Sequence, residues 1–122
     1  MSHYILKDGE PILEPDLLTW AKNFEIEDRR VALTEFGGVR ISTVFLGLDH
    51  SFGDGAPVLF ETMIFGGAED GYQERYHTLE ESMLGHERAV QIAKRANNVW
   101  SRLKLGVGKI VAFVSSRFSG SH

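Results

Sequence analysis

Asp49, His50, Glu61 and His86 are the residues of this chain best suited by type to do chemistry. Asp49-His50 closes a run dense in β-branched residues, Glu61 stands in the next apolar run, and His86 lies in a later helical pattern. Imidazole and carboxylate ligate zinc, iron or manganese, and a histidine–carboxylate pair transfers protons. Glu61 alternates with Leu59, Met63 and Phe65, so a strand here points its carboxylate at an otherwise apolar face. A carboxylate in that position needs a partner or a raised pKa. Convergence of His50, Glu61 and His86 would make a metal-assisted hydrolase. The structural alternative pairs Glu61 with Arg40 or Arg75, or leaves it at a sheet rim. His50 and His86 stand 36 residues apart, and no HxH or HxxxH spacing brings two ligands together.

A second group is Arg75-Tyr76-His77, just ahead of Thr78-Leu-Glu-Glu. The latter is a capping-box pattern, in which Thr78 accepts from a first-turn amide and Glu81 reaches back to the cap. A helix N-terminus with a neighbouring arginine suits a phosphate or carboxylate. The structural alternative has Arg75 paired with Glu61, Glu74 or a loop acid, and Tyr76 as the apolar staple. Leu105-Gly-Val-Gly-Lys lacks the Gly-x4-Gly-Lys-Ser/Thr spacing of a phosphate loop, and the chain holds no Gly-x-Ser-x-Gly elbow. No catalytic residue, metal or cofactor is therefore assigned. The weaker set of ligand-binding candidates is Asp49, His50, Glu61, Arg75, Tyr76 and His86.

The elements that must position these residues are legible in outline. Asp8-Gly9 between two short apolar stretches predicts a tight hairpin, with Pro11 keeping the second arm short or at an edge. Glu14-Pro15-Asp16 opens a short helix in which Leu17, Leu18, Trp20, Ala21 and Phe24 recur near helical spacing. Val31 to Phe36, Val39 to Leu48 and Val58 to Phe65 predict three strands of an antiparallel meander, separated by Gly37-Gly38 and the loop Asp49 to Pro57. Asp70 to Tyr76 reads as a polar connection. Leu79, Met83, His86, Val90, Ala93 and Ala96 mark one face of a long helix that can run to Leu103, nearly 40 Å at about 1.5 Å per residue. That is longer than so small a sheet needs, which suggests a protruding or intersubunit contact. Lys109 to Ser116 reads as a last strand. The expected fold is one α+β domain over 1–122. It comprises a core over 1–105, with an antiparallel sheet of three to five strands, a short N-terminal helix and a long helix on one face, and an extension over 106–122.

Charge is divided along the chain. The first 87 residues carry all 17 acidic groups and a net charge of −11, whereas the last 35 carry +7 and no acid. The basic segment either packs on the acidic body, of its own or a neighbouring copy, or meets an external anion such as nucleic acid. Trp100, at helical spacing from Ala96 and Leu103, fits core or interface packing better than base stacking. The absence of cysteine excludes disulfides, thiolate metal sites and a cysteine nucleophile. No apolar run is long enough to span a bilayer, and the N-terminus lacks the layout of a signal peptide, so a cytoplasmic location is expected.

The runs Ser42-Thr-Val-Phe-Leu-Gly-Leu-Asp-His, Leu59-Phe-Glu-Thr-Met-Ile-Phe-Gly-Gly, Arg75-Tyr-His-Thr and Gly85-His-Glu, with the early Glu14-Pro15-Asp16 and Trp20, resemble small hypothetical proteins of bacteriophages and prophages. The resemblance covers roughly residues 3 to 95. It implies a phage-type origin and a common fold, and carries no activity or functional residues. The expectation is a non-enzymatic binding or interaction protein of the bacterial cytoplasm, a homo-oligomer that blocks a host or defence protein or sequesters a small anion. The hydrolase of His50, Glu61 and His86 is the alternative, and nucleic-acid binding through the basic C-terminal segment is third.

Overall fold

The computed structural model describes residues 2–26, 29–51, 53 and 55–107. The chain runs β1 (Tyr4–Lys7), β2 (Glu10–Leu13), α1 (Leu17–Ile26), β3 (Arg30–Phe36), β4 (Val39–Phe45), β5 (Phe60–Phe65), β6 (Gln73–Tyr76) and α2 (Leu79–Val107). This is the α+β architecture expected, with the strands divided between two antiparallel sheets, β1-β2 and β3-β4-β5-β6. The strand expected over Lys109–Ser116 lies outside the described residues.

Local chemistry sets the turns. Asp8 and Gly9 both take positive φ, 51° and 80°, the backbone twist that lets a two-residue turn join right-twisted strands. Gly37 and Gly38 do the same between β3 and β4. Two departures from the sequence pattern matter. Gln73–Tyr76 is a strand, not a connection, and pairs with β5 through Phe60↔Tyr76 and Thr62↔Glu74. The long helix reaches Val107, past Gly106, which had marked its stop.

Helix α2 covers one face of the four-stranded sheet. Val39, Ile41, Thr43 and Phe45 of β4 and Phe60, Thr62 and Ile64 of β5 turn toward it and are buried. The contact seam of α2 is built from Ser82, His86, Ala89, Val90 and Ala93, mostly small, which lets the helix sit close. Met83, expected on this face, is instead 54% exposed. Two apolar clusters result. Val39, Ile41, Ile64, Ala89, Val90 and Ala93 form one. Phe45, Leu59, Phe60 and Tyr76 form the other, joined by Tyr4, Leu6, Val31 and Leu79.

The β1-β2 hairpin and α1 sit at the end of the sheet where α2 begins. A Cβ on Gly9 would lie 3.3 Å from Leu79 Cδ2, and Tyr4 N donates to Gly47 O at 2.8 Å. Trp20 Nε1 lies 3.1 Å from both Tyr4 O and Gly47 O, pinning α1 to this corner. Its ring contacts those of His3 and Phe24, each at 4.7 Å between centroids. Leu17 and Leu18, by sequence part of the same apolar stripe, are not covered: they are 56% and 80% exposed.

Candidate functional site

The sheet's pleat decides which candidates can meet. Thr62 faces α2, so Glu61, the next residue, faces away from it. His86 stands on α2 and is 4% exposed. Glu61 and His86 therefore lie on opposite faces of one sheet. Glu61 accepts from Arg75 Nε at 2.9 Å and from Gln73 Nε2, its cross-strand neighbours on β6, which is the structural pairing the sequence allowed. His50 Nδ1 donates to Leu48 O at 2.8 Å. Asp49 Oδ1 accepts from the amides of Ser51 (2.8 Å) and Val58 (3.0 Å), closing the β4–β5 loop. The Ser51 amide leads the groups that hold this carboxyl below its ordinary pKa. Among the described residues no three histidine or acidic side chains form a group able to hold a metal ion.

What does converge is a buried polar chain. His86 Nδ1 lies 2.8 Å from Thr43 Oγ1, and His86 Nε2 lies 2.9 Å from Thr34 Oγ1. Thr43 Oγ1 meets Thr62 Oγ1, its cross-strand partner, at 2.5 Å. Thr62 hydrogen-bonds the Tyr76 phenol, and that phenol donates to Glu74 Oε1 at 2.9 Å. Glu74 Oε1 also accepts from Arg88 Nη2 at 2.9 Å. The line runs from β3 through α2, β4, β5 and β6 and back to α2.

Its direction follows from donor counting. Arg88 leads the contacts that keep Glu74 below its ordinary pKa, so Glu74 is an acceptor. Tyr76 spends its one proton on Glu74, so its oxygen accepts from Thr62. Thr62 then accepts from Thr43, and Thr43 from His86 Nδ1–H. That leaves His86 Nε2 bare, accepting from Thr34. Burial pushes the Tyr76 hydroxyl up to about 12 and pushes the His86 imidazolium pKa down. Both groups are thus held neutral, and a chain of neutral, mutually satisfied groups is a structural use of histidine.

The capping box forms as the sequence predicts. Glu81 N donates to Thr78 Oγ1 at 3.1 Å, while Glu81 Oε1 accepts from the amides of Thr78 (3.1 Å) and His77 (3.0 Å). Beside it is a cleft of about 250 Å³ lined by Arg75, Tyr76, His77, Glu81, Leu84 and Arg88. Its two guanidinium groups already hold Glu61 and Glu74, and the Glu81 carboxylate occupies the free amides that an anion would use. Tyr76 borders this cleft but is only 5% exposed and belongs to the apolar core.

Sequence reasoning missed the three threonines. Each occupies an α2-facing position in an otherwise apolar alternation, and His86 lies on the helix face that meets them. Polar groups at buried positions of facing elements must satisfy one another, and that was the available signal. Comparison with protein-family models, curated proteins and solved structures finds no match.

Proposed function

We infer that this chain is a non-enzymatic protein-binding module whose contact surface is formed by β2 and the first turn of α1. One observation carries the reading. Ile12, Leu13, Leu17 and Leu18, four large apolar side chains within seven residues of chain, are 44%, 54%, 56% and 80% exposed. Scattered apolar residues on a surface are ordinary, but four exposed in so short a stretch of chain, with Leu17 and Leu18 adjacent on the first turn of α1, are a feature of interaction sites. Leu17 and Leu18 belong by spacing to an apolar stripe, and no described element covers them.

The chemistry elsewhere supports binding over catalysis. His86 and Tyr76 are neutral and engaged, Glu61 and Glu74 are paired with arginines, and Asp49 accepts from two backbone amides. A hydrolase of His50, Glu61 and His86 would need side chains that the sheet keeps apart. The resemblance to small phage and prophage proteins suggests a host or defence protein of a bacterial cell as the class of partner. A second reading, capture of a small anion, is favoured by the cleft between Arg75 and Arg88 and would require displacing Glu61 or Glu74 from its arginine.

The test is affinity capture from a bacterial lysate with wild type and with Leu17→Asp/Leu18→Asp. These side chains are exposed, so the fold should survive and circular dichroism should be unchanged. Proteins retained by wild type and lost by the variant support the reading. Identical captured sets from both proteins contradict it.

A further inference from the structure

The four-stranded sheet has a second face, turned away from α2. Strand register fixes its members. A central row of Leu33, Ser42, Met63 and Gln73 is flanked by the rows Glu35, Arg40, Phe65 and Arg30, Val44, Glu61, Arg75. On β4 and β5 each of these residues alternates with one buried against α2. Among the described residues α2 is the only helix in extensive contact with this sheet, and it lies on the other side. An antiparallel sheet with one solvated face ordinarily shows polar residues there. Here Leu33, Val44, Met63 and Phe65 surround Ser42; Leu33 is 39% exposed and the other three are half-buried. Ser42 is 1% exposed, and its hydroxyl has no hydrogen-bond partner among the described residues. The centre of the face therefore offers water nothing to bind.

The carboxylates of this face are neutralised within it. Glu35 is paired with Arg40 at 3.1 Å and Glu61 with Arg75 at 2.9 Å. This bears on association, because the first 87 residues carry a net charge of −11 and two copies repel wherever uncompensated acids meet. A strongly charged partner finds little field here to steer it. An isologous contact, which sets a surface against itself, requires just such a balance. Register adds complementarity. A two-fold axis that runs across the strands, between two stacked faces, brings the Leu33–Ser42–Met63 row against its own copy and exchanges the flanking rows. Glu35 of each copy then lies over Arg30 of the other.

We propose that this face packs on the same face of a second copy, forming a two-sheet sandwich with one α2 on each outer side. Stacked sheets lie about 10 Å apart with their strands roughly aligned, so Leu33 meets Leu33 of the other copy and Met63 meets Met63. Four strands about 4.8 Å apart and roughly 20 Å long give about 400 Å² of face per copy, nearer to reversible interfaces than to permanent ones. The dimer is therefore concentration-dependent. It uses neither β2 nor α1, so it stands or falls independently of the binding surface inferred above.

The test combines sedimentation velocity of the full chain, up to millimolar concentration, with site-directed crosslinking. Wild type is expected to dimerise, and Leu33→Asp to weaken association roughly tenfold or more, the loss typical of a central contact. The chain has no cysteine, so Leu33→Cys and Leu84→Cys each carry a single thiol. A short bis-maleimide should join two copies through position 33 and not through position 84, which is 65% exposed on α2. If Leu33→Asp fails to fold, charge reversal provides the same check: Glu35→Lys should weaken the dimer, and adding Arg30→Glu should restore it. A dimer unaffected by Leu33→Asp, or crosslinked equally at both positions, overturns the proposal. So does a wild type that stays monomeric at millimolar concentration. In that monomer, slow maleimide labelling at position 33 would show the face covered by the chain itself, and fast labelling would show it open to water.

Discussion

The Tyr76 phenol lies against the backbone of Gly85, so closely that a Cβ at position 85 would overlap its ring and its oxygen. Glycine inside a helix ordinarily costs about 1 kcal/mol relative to alanine. Here it is the residue that admits the tyrosine to the seam between α2 and β6. Gly85→Ala is therefore expected to destabilise the protein by about 1–3 kcal/mol despite its better helix propensity, the usual cost of overpacking. In a Tyr76→Val background, where the ring is gone, the same change should become neutral or stabilising. Urea unfolding of the four proteins reads this coupling directly, and an equal loss in both backgrounds would contradict it.

His86 gives the fold a pH dependence of known sign. Burial lowers its pKa below the ordinary value near 6.5, so the folded protein keeps it neutral where the unfolded chain takes up a proton. The groups facing it from β3, β4 and β5 are the uncharged Thr34, Thr43 and Thr62. Glu87 on its own helix opposes the shift, and Glu74 and Arg88 lie beyond Tyr76. Stability should be full above pH 6.5 and fall as pH drops below it. Glu74, whose pKa is lowered chiefly by Arg88, adds its loss only at more acid pH, below the ordinary carboxylate range. Denaturant midpoints between pH 7 and 5 should decline in wild type and flatten in His86→Gln. An unchanged slope in the variant would place the titration elsewhere.

Much of this fold can be read from the residues, and the part that cannot has physical causes. Asp8-Gly9, Gly37-Gly38 and the β-branched run from Val39 mark the hairpin and the central strands because turn chemistry and strand packing are local. The Thr78/Glu81 capping box is local for the same reason. Gln73–Tyr76 escapes because an edge strand buries only one of its residues, Tyr76, and its exposed members look like a loop. The histidine network escapes because it depends on register. Thr43 meets Thr62 only once β4 and β5 pair, and Thr34 joins through β3. The candidate set of His50, Glu61 and His86 fails on a strand's period of two, which puts Glu61 on the face away from α2.

Removing the Tyr76 hydroxyl tests the direction of the polar chain. Tyr76→Phe deletes the donor to Glu74 and the acceptor for Thr62, and should cost about 1–2 kcal/mol, typical for an unsatisfied buried group. The same change releases the constraint on the threonine protons and so on the imidazole. Long-range proton–nitrogen NMR should show His86 as the single Nδ1–H tautomer in wild type and as a mixture in Tyr76→Phe. A wild-type Nε2–H tautomer would reverse the assigned direction.

The claim that β2 and α1 form a contact surface is tested most directly by photo-crosslinking inside bacterial cells. A benzophenone amino acid is placed at Leu18, 80% exposed on the first turn of α1, and in a separate protein at Lys94, exposed on α2. Position 18 should give a discrete adduct with one protein, which mass spectrometry identifies as a second copy or another chain, and position 94 should give none. Equal labelling at both positions, or no adduct at position 18 in a protein that remains folded, would contradict the contact surface.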